Sequence, residues 1–174
     1  AHIIAKMNSL CDQGIIAALY EASAAGVEIE LIVRGICCLK VGIPGISEHI
    51  SVRSIVGTFL EHSRIYYFRN GGEEEVYLSS ADWMPRNLDR RVEILFPIEN
   101  EHLKKEVMHI LDIQLKDTLK AQVKKPDGTY EKVDRRGKQP LCAQQYFMEY
   151  ARKLAKGQQE EHVHDRTFTP AEPM

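Results

Sequence analysis

The sequence predicts an α/β fold, a mixed β-sheet flanked by helices, and three features of its pattern carry that expectation. An apolar strand, an amphipathic helix and a second apolar strand open the chain, an order that makes two strands parallel. The Asn70-Gly71-Gly72 turn then separates two strand-like runs, which adds an antiparallel pair. Helical periodicity over residues 100–119 and 139–156 supplies elements to cover the sheet.

Residues 3–8 read as a short buried strand that starts without a lead-in, so the chain is expected to be a piece of something larger. Residues 9–12 offer caps for a helix to about Ala25, with Ile15, Ile16, Leu19, Tyr20 and Ala22 at helical spacing and Gly26 ending it. Residues 27–33 alternate and then turn fully apolar, as a strand does on entering a sheet interior, and stop at Arg34. Residues 35–48, with Gly42, Pro44 and Gly45, read as a loop, and 50–55 as a short strand. Residues 64–69 and 75–80 flank the glycine turn as hairpin strands, and 91–97 read as a further apolar strand. The helix over 100–119 places Leu103, Val107, Ile110, Leu111 and Leu115 on one face. A polar hairpin over 120–133 turns at Pro126-Asp127-Gly128, and a last helix covers 139–156. Beyond it the composition changes to Gln, Glu, His, Pro and Thr, which bury too little apolar surface to offset ordering entropy. One domain over 1–156 and a disordered tail over 157–174 are therefore expected.

At 174 residues and 44% hydrophobic, the chain can bury one sizeable core. Its 23 Lys+Arg against 25 Asp+Glu leave a formal charge of -2, so no broad basic field points to nucleic acid, and any anion site must be a local cluster. No apolar run approaches the roughly 20 residues of a membrane span. Cys11, Cys37, Cys38 and Cys142 form no CxxC pair and read as reduced thiols in a cytoplasmic protein.

Candidate chemistry gathers where apolar segments end. His62, between an apolar segment and the strand starting at Arg64, could project from the sheet lip as nucleophile or general acid/base; taken alone it equally suits a structural histidine. Arg34 lies at the carboxyl end of a buried strand, where ligands of open sheets collect, and its planar fork suits phosphate oxygens; a surface ion pair is the plain alternative. In Asp89-Arg90-Arg91-Val92-Glu93, strand alternation would send Arg91 and Glu93 to one face. Glu93 could then orient His62 while Arg91 neutralises a transferring phosphoryl group, or the two could be an ordinary ion pair. Asp82 and Asn87, around Trp83-Met84-Pro85, read as residues that hold the loop. His102 and His109 share a helix face without a third ligand, and His162 and His164 lie in the expected tail, so no metal site is assigned. The glycines match neither a P-loop nor a dinucleotide fingerprint.

At these residues the chain resembles the C-terminal part of bacterial polyphosphate kinases. The resemblance runs through Lys6-Met7-Asn8-Ser9-Leu10, Tyr20-Glu21-Ala22-Ser23, residues 29–38, residues 54–68 and residues 80–93, and covers nearly everything from Ile3 to Leu154. It implies a phospholipase D-like fold, the second of two such halves, in which His62-Ser63-Arg64 stands at the family's histidine-x-lysine position and Ser79-Ser80-Ala81-Asp82 at its Gly-Ser-x-Asn turn. It further implies that His62 is the second-half histidine assisting transfer, contacted by Glu93, and that Arg34, Arg91 and Arg64 bind phosphates. The implied reaction is reversible transfer of the terminal phosphate of ATP to polyphosphate through a phosphohistidine. The acceptor histidine, the adenine pocket and the ligands of the implied Mg2+ would lie outside this chain, which alone is expected to be inactive. The implied partners are ATP or ADP, polyphosphate, the N-terminal remainder of the enzyme and further copies of it, in the cytoplasm, with a peripheral place on the inner membrane left open. A phospholipase D-class phosphodiesterase or nuclease, and a non-catalytic polyphosphate-binding module, stand as alternatives.

Overall fold

Twelve elements build the protein in this computed structural model, which describes residues 1–160. In chain order they are β1 (His2–Met7), α1 (Gln13–Ala24), β2 (Glu28–Val33), β3 (Ile50–Ile55), β4 (Arg64–Asn70), β5 (Glu73–Ser79), α2 (Pro85–Arg90), β6 (Leu95–Pro97), α3 (Glu101–Leu115), β7 (Ala121–Lys124), β8 (Tyr130–Lys132) and α4 (Ala143–Glu160). The eight strands form one sheet in the order β6-β5-β4-β1-β2-β3-β7-β8. Pairs β1–β2 and β2–β3 are parallel, and the other pairs antiparallel, so the sheet is mixed as expected.

The two-residue period of the strands divides the core between two faces. Ala5, Met7, Ile29, Leu31, Val33, Val52 and Tyr66 pack on one side with Leu19, Ile15 and Ile16 of α1. Ile4, Ile32, Ile55, Ile65, Tyr67 and Val76 pack on the other with Leu111, Val107 and Met108 of α3. A helix on each face closes the layers around the strands.

Capping sets the helix bounds. Asp12 accepts from Ile15 N at 2.9 Å to start α1, and Asn100 accepts from His102 N and Leu103 N to start α3. The expected helix over 100–119 ends earlier, at Leu115, because the buried Asp117 draws the N–H groups of Leu119, Lys120 and Ala121 onto its carboxylate and turns the chain into β7. The hairpin forms where expected, with Gly71 and Gly72 at φ 61 and 96, backbone that a side chain resists. The expected strand over 91–97 is only three residues long, Leu95–Pro97. Pro85, set at the first turn of α2, starts a helix there, and Arg91 leaves it in extended conformation.

The chain divides into two compact units, Ala1–Ala143 and one that begins at Gln144. Within that unit α4 stacks Tyr146 on Tyr150 with ring centroids 6.1 Å apart. Its helix is assigned through Glu160, and residues 161–174, the rest of the expected tail with His162 and His164, lie outside the described residues.

Candidate active site

Strand direction brings distant residues to one edge of the sheet. β1 and β2 run parallel, and β4 runs against β1, so the start of β4 lies beside the ends of β1 and β2. The hairpin partner β5 ends at the same edge, with Ser79 opposite Arg64. Asn8, Arg34, His62 to Arg64 and the turn after Ser79 therefore meet there. Gly35 belongs to this arrangement, since its N–H donates to Asn8 O at 2.8 Å and an added Cβ would stand 3.1 Å from that oxygen.

Asp82 is the hub. Its turn is anchored by Tyr66, which donates its hydroxyl to Ala81 O at 2.7 Å and stacks on Trp83 at 4.7 Å between centroids. The buried Asp82 Oδ1 accepts from Asn8 N at 2.6 Å, Ser9 N at 3.3 Å and Arg64 Nε at 3.2 Å, and Oδ2 accepts from Arg64 Nη2 at 2.8 Å. Burial pushes this carboxyl up, but the Arg64 and backbone hydrogen bonds outweigh it and hold the group below its ordinary value.

Arg64 passes this order on to His62. Its Nη1 donates to His62 O at 2.9 Å and stands 2.8 Å from His62 Nδ1. Its Nη2 stands 3.4 Å from His62 Nε2, so the guanidinium faces both ring nitrogens. Arg64, expected to bind phosphate, has its Nε and both terminal nitrogens engaged by Asp82 and His62.

Arg34 is tied to the same hub from the other side. Its Nε donates to Asn8 Oδ1 at 3.0 Å, while its terminal nitrogens have no protein acceptor among the described residues. A continuous hydrogen-bonded chain thus runs Arg34, Asn8, Asp82, Arg64, His62.

Arg91 and Glu93 do pair, at 3.3 Å, although the backbone there is a helix exit and not a strand. The expected contact of Glu93 with His62 is absent among the described residues. The carboxylate goes instead to Asn87 Nδ2 at 2.6 Å and to Ser80 Oγ, because α2 presents Asn87 to it. Those hydrogen bonds, then the charges of Arg91 and Arg64, hold the Glu93 carboxyl below its ordinary value. Arg91 and Glu93 line a cavity of about 630 Å³ with Tyr66, Trp83, Asn87 and Tyr77. Asp82 and Asn87 are both buried and hydrogen-bonded, Asp82 to Asn8, Ser9 and Arg64 and Asn87 to Glu93.

The site is cationic, and both of its carboxylates already face arginines. No group of three metal-ligating side chains occurs among the described residues, so this donor set does not fit Mg2+. Sequence reasoning passed over Asn8, Ser80 and Lys6. For Lys6 there was a signal, a lysine inside the apolar run Ile3-Ile4-Ala5-Lys6-Met7.

Comparison with known proteins follows the same residues. The family model for polyphosphate kinase C-terminal domain 2 matches residues 1–144. The polyphosphate kinase of Halalkalibacterium halodurans is 55% identical over 160 residues, 91% of this chain and 23% of that protein. The polyphosphate kinase of Synechocystis is 59% identical over 142 residues, 82% of this chain and 19% of that protein. The crystal structure of polyphosphate kinase from Porphyromonas gingivalis aligns with a TM-score of 0.84 and 44% identity, covering 90% of this chain and 24% of that one. NucT from Helicobacter pylori shares the fold alone, at TM-score 0.52 and 11% identity. The chain thus spans about a fifth to a quarter of the relatives it matches.

Proposed function

The chain belongs to the polyphosphate kinase C-terminal domain 2 family, and we propose that it supplies one side of a phosphoryl-transfer site that works on ATP and polyphosphate. The observation that carries this reading is the hydrogen-bonded chain that runs from Arg34, whose outer nitrogens are open, through Asn8, Asp82 and Arg64 to His62.

In the intact enzyme the reaction is ATP plus polyphosphate giving ADP plus a chain one phosphate longer, reversibly, through a phosphohistidine carried by the remainder of the protein. Transfer of this kind depends mostly on positioning and on stabilising charge spread over the phosphoryl oxygens. The outer nitrogens of Arg34 and Arg91 would take those oxygens, and His62 would offer a proton to the bridging oxygen as it leaves. Glu93 would keep Arg91 aimed at the site. Arg64 would act by fixing His62. ATP or ADP and polyphosphate are the small partners of this reading, and the N-terminal remainder and further copies of the enzyme the large ones, in the cytoplasm.

Replacing His62 by Ala in the intact enzyme is expected to cut polyphosphate synthesis by well over the about hundredfold that a positioned proton donor supplies. Near-normal turnover of labelled ATP would remove His62 from the chemistry and the reading with it.

A further inference from the structure

Lys6 is a lysine with 3% of its surface exposed, set on the α3 face of the sheet among Ile4, Ile32 and Ile65. Desolvating an ammonium is costly unless each of its three N–H donors finds an acceptor. Here two acceptors and one ion-pair partner face it. Nζ donates to Ser63 O at 3.1 Å and to Ser63 Oγ at 2.8 Å, and stands 3.7 Å from Glu61 Oε2. The residues it grips are the two that flank His62.

His62 sits in the segment between β3 and β4, residues 56–63. Its large apolar residues Val56, Phe59 and Leu60 are 64%, 53% and 69% exposed, so hydrophobic burial does not fix its path. Glu61 receives a second hold from Gln114 Nε2 of α3 at 3.2 Å. Arg64 secures His62 from within the segment, whereas Lys6 secures it from the sheet beneath.

We propose that Lys6 is the positioning residue for His62, holding the backbone and side chains on either side of the imidazole so that it stays at the reacting phosphoryl group. This rests on the catalytic reading of His62. Burial lowers the affinity of Lys6 for its proton, Glu61 opposes that, and Arg64 and Arg34 add to it.

The test is a mutant cycle in the intact polyphosphate kinase carrying this chain, read as kcat and KM. Lys6→Met keeps the apolar stem and removes the charge. It is expected to lower kcat by about tenfold to a hundredfold, the cost of a misplaced catalytic group, with KM for ATP and polyphosphate within about twofold. In the His62→Ala background the same change should cost nothing more, because the group it positions is gone. Ser63→Ala, which leaves the carbonyl acceptor in place, should show the same dependence on His62 at a smaller loss of kcat, and it decides the matter if Lys6→Met does not fold. An unchanged kcat, or an equal loss with and without His62, overturns the positioning role while leaving His62 in the chemistry. Normal turnover of His62→Ala alone overturns the catalytic reading itself.

Discussion

The site contains two arginine–carboxylate pairs that look alike in sequence and differ in what they can do. Arg64 and Asp82 meet at 2.8 Å with side chains 11% and 9% exposed, and Asp82 also accepts two backbone N–H groups. Arg91 and Glu93 meet at 3.3 Å with Arg91 57% exposed, and both line the cavity. A buried pair with its donors engaged fixes geometry. A half-exposed pair is worth about 0–1 kcal/mol to the fold, because water and salt screen it, and it can exchange its partner for a ligand. Rigidity and binding are thus divided between neighbouring pairs.

The largest effect that separates them is on stability. Asp82→Ala would leave the Arg64 charge buried without its partner, at a cost of about 3–5 kcal/mol in urea unfolding, whereas Glu93→Ala, which leaves an exposed Arg91, should cost less. Equal costs would erase the distinction.

A pH series sharpens it. The folded-state Asp82 carboxyl lies below its ordinary 3.8, so its contribution is complete above that value and is lost as pH falls through the folded value. Asp82→Asn should flatten the acid side of the stability curve, measured by thermal unfolding from neutral pH downward.

A smaller effect comes from the anchor of the Asp82 turn. Tyr66→Phe removes the hydroxyl donated to Ala81 O and keeps the stack on Trp83, so a loss of about 0.5–1.5 kcal/mol is expected. The least change in the fold should come from Arg91→Ala, within about 0.5 kcal/mol. Its effect belongs to binding. Calorimetry of the chain with polyphosphate at two salt concentrations should show weaker affinity and a shallower salt dependence than the parent, since one released counterion is lost.

Much of the frame was legible before any coordinates. The runs at residues 3–8, 27–33 and 64–69 read as strands because their β-branched and aromatic residues suit a pleated, buried surface. Asp12 announced a helix start through its oxygen acceptor. His62, Arg34 and Arg91 were found by type, since imidazole and guanidinium at the mouths of apolar segments suit anionic chemistry. The strand over 91–97 was misjudged because an apolar run fits strand and loop equally, and the helix at Pro85 carries too few apolar positions to announce itself. Glu93 was assigned to His62 by its charge, and Asn87 claimed it by proximity.

What the amino-acid order determined alone was the kind of element each segment makes and the chemical repertoire available, because propensity, periodicity and functional groups are local properties. The tertiary structure decided which arginine stays open and which is enclosed, that Asp82 joins Asn8, Arg64 and the Ser9 amide, and that Lys6 reaches under His62. Those outcomes depend on strand order and register, which bring residues 57 or 74 positions apart into hydrogen-bond contact. No window of sequence contains both ends of such a bond.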